Sequence, residues 1–270
     1  IVFAGDNIFD LSVILNNEVS KLSDWFSHNR LSLNLKKTNY IIFHSQRKNV
    51  SNAPDIFIND ICINRVSHCK CLGVYLDEHL SWSLHINHIT NKISKNIGII
   101  KRIRLFITKS VTNMLYYSLI YPYLSYCNIV WGATYPTHLN RLYLLQKRVA
   151  RTILKLPLLS HVETRFNEIG MLNIYQINHY LTCLFMFKYE RNMLPTVFNN
   201  LFITHSNIHS YNTCFSNDYS SEPAKTNLKL FSINLFIYSR IPSINKTAIS
   251  LFKKGVEFIS FGKSGVFCLF

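Results

Sequence analysis

Between His79 and Val162 the chain carries eleven Lys and Arg residues and no Asp or Glu. A run of 84 residues without a carboxylate cannot neutralise its own cations, so its surface stays positive and attracts polyanions. The flanks behave differently. Residues 1–78 hold eight basic and eight acidic groups, and residues 163–270 hold ten and six. The formal net charge of +15 therefore comes mostly from the middle of the chain. A merely solvated basic face is the alternative, and the length of the acid-free run weighs against it.

The apolar pattern changes period near the start of that run. Before it, Leu11, Leu15, Val19, Leu22 and Phe26 recur at helical spacing, so a helix is expected over Leu11–His28. Leu31, Leu33 and Leu35 alternate and lead into the apolar run Tyr40–Phe43, which reads as strand. Two short β-branched runs flank Asn59-Asp60, a hairpin signal. CKCLGVYLD (69–77) reads as one more strand, in which Gly73 permits a bulge. Past Trp82, Leu84, His88, Ile89, Ile93, Ile97, Ile100 and Ile103 fit a long helix. Thr108 and Thr137 are expected to cap two more, and a fourth is expected over Ile177–Arg191. Arg148, Arg151 and Lys155 then fall on one outward stripe, beside Arg141 and Lys147. After about Ile203 the chain turns polar and reads as loop. The expected class is α+β: short antiparallel strands with one helix over residues 1–80, helices over 81–200, and an irregular tail over 201–270.

A hydrophobic fraction of 48% excludes a mainly disordered chain. The uncharged stretch Val111–Asn140 looks membrane-like, but Pro122, Asn128 and several Tyr interrupt it, so a core helix broken near Pro122 is expected instead. Seven cysteines without disulfide-like spacing, and no signal peptide, point to an intracellular protein, cytoplasmic or nuclear, rather than a secreted one. Cys69-x-Cys71 with His85-x-x-His88 is the nearest approach to a zinc pattern, and its cysteine spacing is too short for one. The opening IVFAGDN runs an apolar triplet into Ala4-Gly5-Asp6, the look of a strand ending in a turn that presents a carboxylate. Metal-ligand turns and ordinary surface hairpins share that look.

Taken in order, several blocks resemble the C-terminal part of the reverse transcriptase of non-LTR retrotransposons, jockey-like elements in particular. FAGD (3–6) sits where the family has its aromatic-Ala-Asp-Asp catalytic turn. WFSHNRLSLNLKKTNYIIF (25–43) is similar to the following segment. CLGVYLDEHLSWSLHI (71–86) resembles the block whose Leu-Gly turn holds the primer strand. LYYSLIYPYLSYCNIVWG (115–132) and LQKRVARTI (145–153) resemble the helical thumb. MLNIYQINHYLTCLFMFKYERNMLP (171–195) and HSYNT (209–213) are similar to the region beyond it, and SLFKKGV (250–256) is a weaker echo.

The resemblance implies a polymerase palm remnant over 1–80, an all-helical thumb and post-thumb region over 81–200, and an irregular tail. It implies RNA-directed DNA polymerase chemistry in the parent family, with two Mg²⁺ ions held by converging carboxylates. Here Gly5 stands at the first Asp of the catalytic pair and only Asp6 remains as a metal ligand, so no cofactor and no independent catalysis are expected of this chain. Lys36 or Lys37 matches a lysine that assists pyrophosphate departure in the family; a solvated pair is the plain alternative. Leu72 and Gly73 match the primer-holding turn, with a simple bulge as the alternative. Lys101, Arg102, Arg104, Lys147, Arg148 and Arg151 match the thumb and would track the backbone of RNA or an RNA–DNA duplex. Neither a membrane nor a small-molecule substrate is expected as partner. Tyr116, Tyr117, Tyr121, Tyr123 and Tyr126 suit a helix core better than base stacking.

The pattern also departs from the family. Cys214 replaces the Arg expected after HSYNT, INLFIYSRIPSINK lacks the expected signature, and GKSGVFCLF matches nothing in it. With Gly5 and a start at the catalytic turn, these departures suggest a decayed element copy. Two further readings stay open: the C-terminal part of a longer active polymerase, and a non-catalytic protein-interaction module.

Overall fold

The computed structural model describes residues 2–5, 7–198, 203–204, 219–220 and 265–269. Asp6, HSYNT (209–213), Cys214 and SLFKKGV (250–256) lie outside the described residues. In chain order the elements are β1 (Val2–Gly5), α1 (Ile8–His28), β2 (Asn39–Phe43), β3 (Phe57–Ile58), β4 (Ile61–Cys62), β5 (Asn64–Arg65), β6 (His68–Cys71) and β7 (Val74–Asp77). Helices α2 (Ser83–Ile103), α3 (Lys109–Leu119), α4 (Tyr121–Ser125), α5 (Asn128–Trp131), α6 (Pro136–Ile153) and α7 (Ile174–Glu190) follow. Strands β8 (Ile203–Thr204), β9 (Tyr219–Ser220) and β10 (Gly265–Leu269) come last, and short 3₁₀ turns lie at Glu163–Arg165, Asn167–Ile169 and Thr196–Phe198. The described residues divide into two compact units, one of 2–81 with 265–269, the other of 82–198 with 203–204 and 219–220.

In the first unit α1 begins three residues earlier than its apolar period indicates. Asn7 caps it, its side-chain oxygen accepting from the Phe9 backbone N–H at 3.1 Å. Leu11, Leu15 and Val19 line the buried face and meet Tyr40, Ile42, Ile56, Ile58 and Ile63 in a small core. The sheet beside this helix has the order β1-β10-β2-β5. Its second strand is the finding that local sequence did not reveal. Residues 265–269, inside the stretch expected to be irregular, pair antiparallel with both β1 and β2, setting Phe267 opposite Phe3 on one side and Ile42 on the other. Strand β2 therefore has a partner on each side, which suits its run of buried residues Tyr40–Phe43.

Two expectations need correcting here. The alternating Leu31, Leu33 and Leu35 do not form a strand. The Thr38 N–H donates to the Asn34 carbonyl at 3.1 Å and its hydroxyl to the same oxygen at 3.0 Å, a local turn that uses the groups a ladder would need. CKCLGVYLD is a hairpin rather than one bulged strand, with β6 and β7 paired from His68↔Asp77 to Cys71↔Val74. Its two-residue turn has positive φ at both positions, 46° at Leu72 and 87° at Gly73, as a tight β-hairpin requires. The Asn59-Asp60 hairpin forms as expected, with φ of 49° and 61° between β3 and β4.

The second unit is helical up to residue 190, apart from short connections. Ile86, Ile89, Ile93, Ile97 and Ile100 of α2 are buried, while Leu84 faces outward against expectation because Ile86 and His85 occupy the inward positions of the first turn. Thr108 caps α3 as expected, accepting from the Val111 N–H at 3.4 Å. The chain breaks next to Pro122, which opens the short α4. Thr137 does not cap α6. Pro136 takes the first helical position, where its missing N–H leaves no bond unmade. Asn173 and Gln176 form a reciprocal capping box that starts α7 at Ile174.

The core of this unit is mainly apolar, and two of its buried polar side chains tie elements together. Gln146 of α6 donates to the Tyr116 hydroxyl at 3.1 Å and to the Leu172 carbonyl at 3.0 Å. Asn128 donates to the Leu124 carbonyl and accepts from Asn178 of α7, both at 2.9 Å. Gly132 lies against that amide pair: a Cβ built there would stand 2.6 Å from the Asn128 side-chain oxygen.

Candidate nucleic-acid interface

The cations of the acid-free run belong to helices whose apolar stripes are buried, which leaves charge for the outer faces. Lys101 and Arg102, in the last turn of α2, are exposed, and Arg104 at its C-cap is half-buried. Cations at that end also complement the negative end of the helix dipole, a purely structural use of the same residues. On α6, Arg141 and Arg148 are exposed, whereas Lys147 and Arg151 are half-buried.

The six thumb-like cations are not equivalent. Lys147 is held by the carboxylate of Glu163, the first acid beyond the run, and stands over the Tyr143 ring, 4.4 Å from its centroid. The hydrogen bond from Lys147, with its charge, holds the Glu163 carboxyl below the usual range. Arg151 donates through Nε to the Ser160 carbonyl at 2.9 Å. Arg141 donates to the Asn87 amide oxygen at 2.6 Å, tying α6 to α2. Among the described residues, Lys101, Arg102 and Arg148 have no such anchor and keep their charge for solvent or a ligand.

An aromatic surface lies beside the first group. Phe106, two residues past Arg104, is 86% exposed. The tyrosines from Tyr116 to Tyr126 suit a helix core by their spacing, and the structure divides them. Tyr116 is fully buried, and burial pushes its phenol pKa well up, in keeping with a core role. Tyr117, Tyr123 and Tyr126 are exposed, and the Tyr117 hydroxyl donates to the Gly170 carbonyl at 2.6 Å. The signal for Phe106 was available: it sits outside the helical apolar period, directly after KRIRL.

The remaining site residues belong to the first unit. Lys36 and Lys37 are exposed in the turn before β2. Leu72 and Gly73 form the tip of the β6–β7 hairpin, with Leu72 84% exposed. Gly5 ends β1, and a Cβ there would stand 2.9 Å from a methyl of Leu11, so the position is packed as well as lacking a carboxylate. Having no side-chain oxygen, Gly5 offers no ligand for the magnesium ion that the sequence resemblance implies at its position. Burial, and then Cys71, raise the Cys69 thiol to about 11, which opposes thiolate formation and agrees with the poor zinc spacing of that pair. The described cysteines form no disulfide among the described residues. No described helix is long and apolar enough to cross a membrane.

No family model matches the sequence, and no solved structure does. One curated protein does: the probable RNA-directed DNA polymerase from transposon X-element of Drosophila melanogaster, 26% identical over 138 residues. The chain is related to a transposon reverse transcriptase. The match covers 49% of this chain and about 15% of the length of that relative. It agrees with the relationship suggested by the ordered sequence blocks.

Proposed function

We propose that this reverse-transcriptase-related chain is a palm remnant (1–80) followed by a helical thumb, and that it binds the sugar-phosphate backbone of RNA or an RNA–DNA duplex without catalysing polymerisation. The observation that carries this reading is the cationic surface of the helices: Lys101, Arg102 and Arg148 face outward in a stretch with no carboxylate of its own. Phosphate contacts made by such residues position a duplex without reading its sequence. Gly5, in place of a carboxylate, supports the absence of catalysis.

Fluorescence anisotropy with a labelled RNA–DNA duplex at rising salt tests the proposal. Each neutralised phosphate contributes about 0.9 to the slope of log K against log salt. The triple substitution Lys101→Ala, Arg102→Ala, Arg148→Ala should lower that slope by about 2 to 3 on that scale. Lys147→Ala should change it less, because Glu163 already holds the ammonium group. Salt-insensitive binding, or no binding at low salt, rejects the proposal.

The short coverage of the relative supports a second reading, in which this is part of a longer active polymerase. It predicts primer extension by a longer protein carrying Gly5→Asp, with Leu11 shifting to admit the new side chain. A folded but inactive protein of that kind counts against it.

A further inference from the structure

The loop ends of the first unit bring together three ligand-bearing side chains that no sequence motif joins. His44 directly follows β2, and Glu78 and His79 directly follow β7. The His44 N–H donates to the Glu78 carbonyl at 3.0 Å, and the Glu78 N–H to the Ser67 carbonyl at 3.0 Å, so the backbone fixes the segments against each other. Nδ1 of His79 lies 3.1 Å from the His44 carbonyl, and Nδ1 of His44 lies 3.0 Å from the Ser45 carbonyl. A carbonyl only accepts, so in the neutral rings both Nδ1 atoms carry the proton and both Nε2 atoms keep the lone pair.

Those two lone-pair nitrogens face one carboxylate. Nε2 of His44 is 3.5 Å from one oxygen of Glu78, and Nε2 of His79 is 3.9 Å from the other. The two rings meet edge to face, with centroids 4.7 Å apart, and a ligand atom from each of the three residues lies within 4.8 Å of the others. A tetrahedral zinc ion about 2.0–2.1 Å from each ligand atom would space them roughly 3.4 Å apart, so closing the shell around one ion asks these side chains to draw together by up to about 1.4 Å at the widest pair. We propose that His44, Glu78 and His79 form a Zn²⁺ site with a fourth position open to water, which staples the end of β2 to the end of the β6–β7 hairpin.

The chemistry suits this ion over harder ones. Two imidazoles and one carboxylate are a zinc donor set, whereas Mg²⁺ and Ca²⁺ take oxygen ligands. The His44 side chain is 9% exposed and those of Glu78 and His79 are 28% and 27% exposed, so the cluster is partly open to solvent. Arg65 is the competing cation, with Nη2 3.9 Å from Glu78. Its Nη1 is committed to the Val50 carbonyl at 2.8 Å, so the guanidinium is held beside the carboxylate and serves to orient it. In the absence of metal, a protonated histidine paired with Glu78 would use the same three groups, and the test must separate the two.

The full chain, stripped with chelator and exchanged into thiol-free buffer, is titrated with ZnCl₂ by calorimetry, and its thermal midpoint is followed by circular dichroism. The expected result is one equivalent bound, a raised midpoint reversed by chelator, and at least a tenfold loss of affinity in each of His44→Ala, Glu78→Gln and His79→Ala. Co²⁺ should give the visible absorption of a low-symmetry nitrogen–oxygen site in the parent chain and not in Glu78→Gln. Glu78→Gln keeps the side-chain volume, so its circular dichroism spectrum shows whether the fold survives. Cys69→Ser should bind Zn²⁺ as the parent does. Absence of stoichiometric binding, or binding that survives all three ligand substitutions, overturns the proposal.

Discussion

His85 is a histidine that must stay neutral for its helix to pack. It sits in the first turn of α2, only 3% exposed, with its ring edge to face against Trp131 at 5.6 Å between centroids. Burial, and then the neighbouring His88, lower its pKa from 6.5 to about 4. In the unfolded chain the ring takes up a proton below about pH 6.5. Between pH 6.5 and 4 the unfolded state therefore binds the extra proton and the folded state does not. Unfolding free energy falls as the pH drops through that window, and the loss is complete near pH 4. A fall from 6.5 to about 4 corresponds to roughly 3 kcal/mol. Urea unfolding followed by circular dichroism, at intervals from pH 7.5 to 4.5, measures it. The comparison protein is His85→Leu, apolar and unable to titrate. It should be less stable than the parent at neutral pH because it loses the ring contact, but flatter with pH. Other histidines titrate in both proteins and drop out of the difference. Parallel pH profiles for the two would refute the reasoning and mean that His85 accepts a proton in the folded state.

Three further outcomes follow from packing and backbone geometry. Gly132→Ala should destabilise the chain by about 1–3 kcal/mol, the usual range for an overpacked core, seen as a lower urea midpoint at unchanged slope. Asn178→Ala should cost about 1–3 kcal/mol, because it leaves the buried Asn128 oxygen without the amide donor that now meets it at 2.9 Å; a neutral result in urea would show that water replaces the donor. Leu72→Gly should raise stability by about 0.5–1 kcal/mol, since glycine adopts the positive φ of the hairpin tip without strain and the lost side chain is mostly exposed. A fall in the thermal midpoint of that variant would show that the Leu72 side chain makes a stabilising contact.

Much of this protein was determined by the order of its residues alone. The inward faces of α1 and α2, the Thr108 cap, the break at Pro122 and the Asn59-Asp60 hairpin rest on periodicity, capping and turn chemistry, which act over a few residues. The positive character of the helical unit came from counting charge, and its relation to transposon reverse transcriptases from the order of short blocks. What only the tertiary structure decided involves groups far apart in sequence. Nothing in GVFCL says that it is the inner partner of both β1 and β2, because strand pairing depends on backbone groups that every residue carries. The leucines before β2 alternate like a strand, yet hydrogen bonds from Thr38 to Asn34 take the backbone elsewhere. Lys147 looks like its neighbours on α6 until Glu163 arrives from beyond the helix and holds it. His44 is more than thirty residues from Glu78 and His79 in the chain, and their convergence is set by how β2 and β7 are joined through the backbone. Local rules fix which way a side chain points along its own element, and only packing determines what it meets.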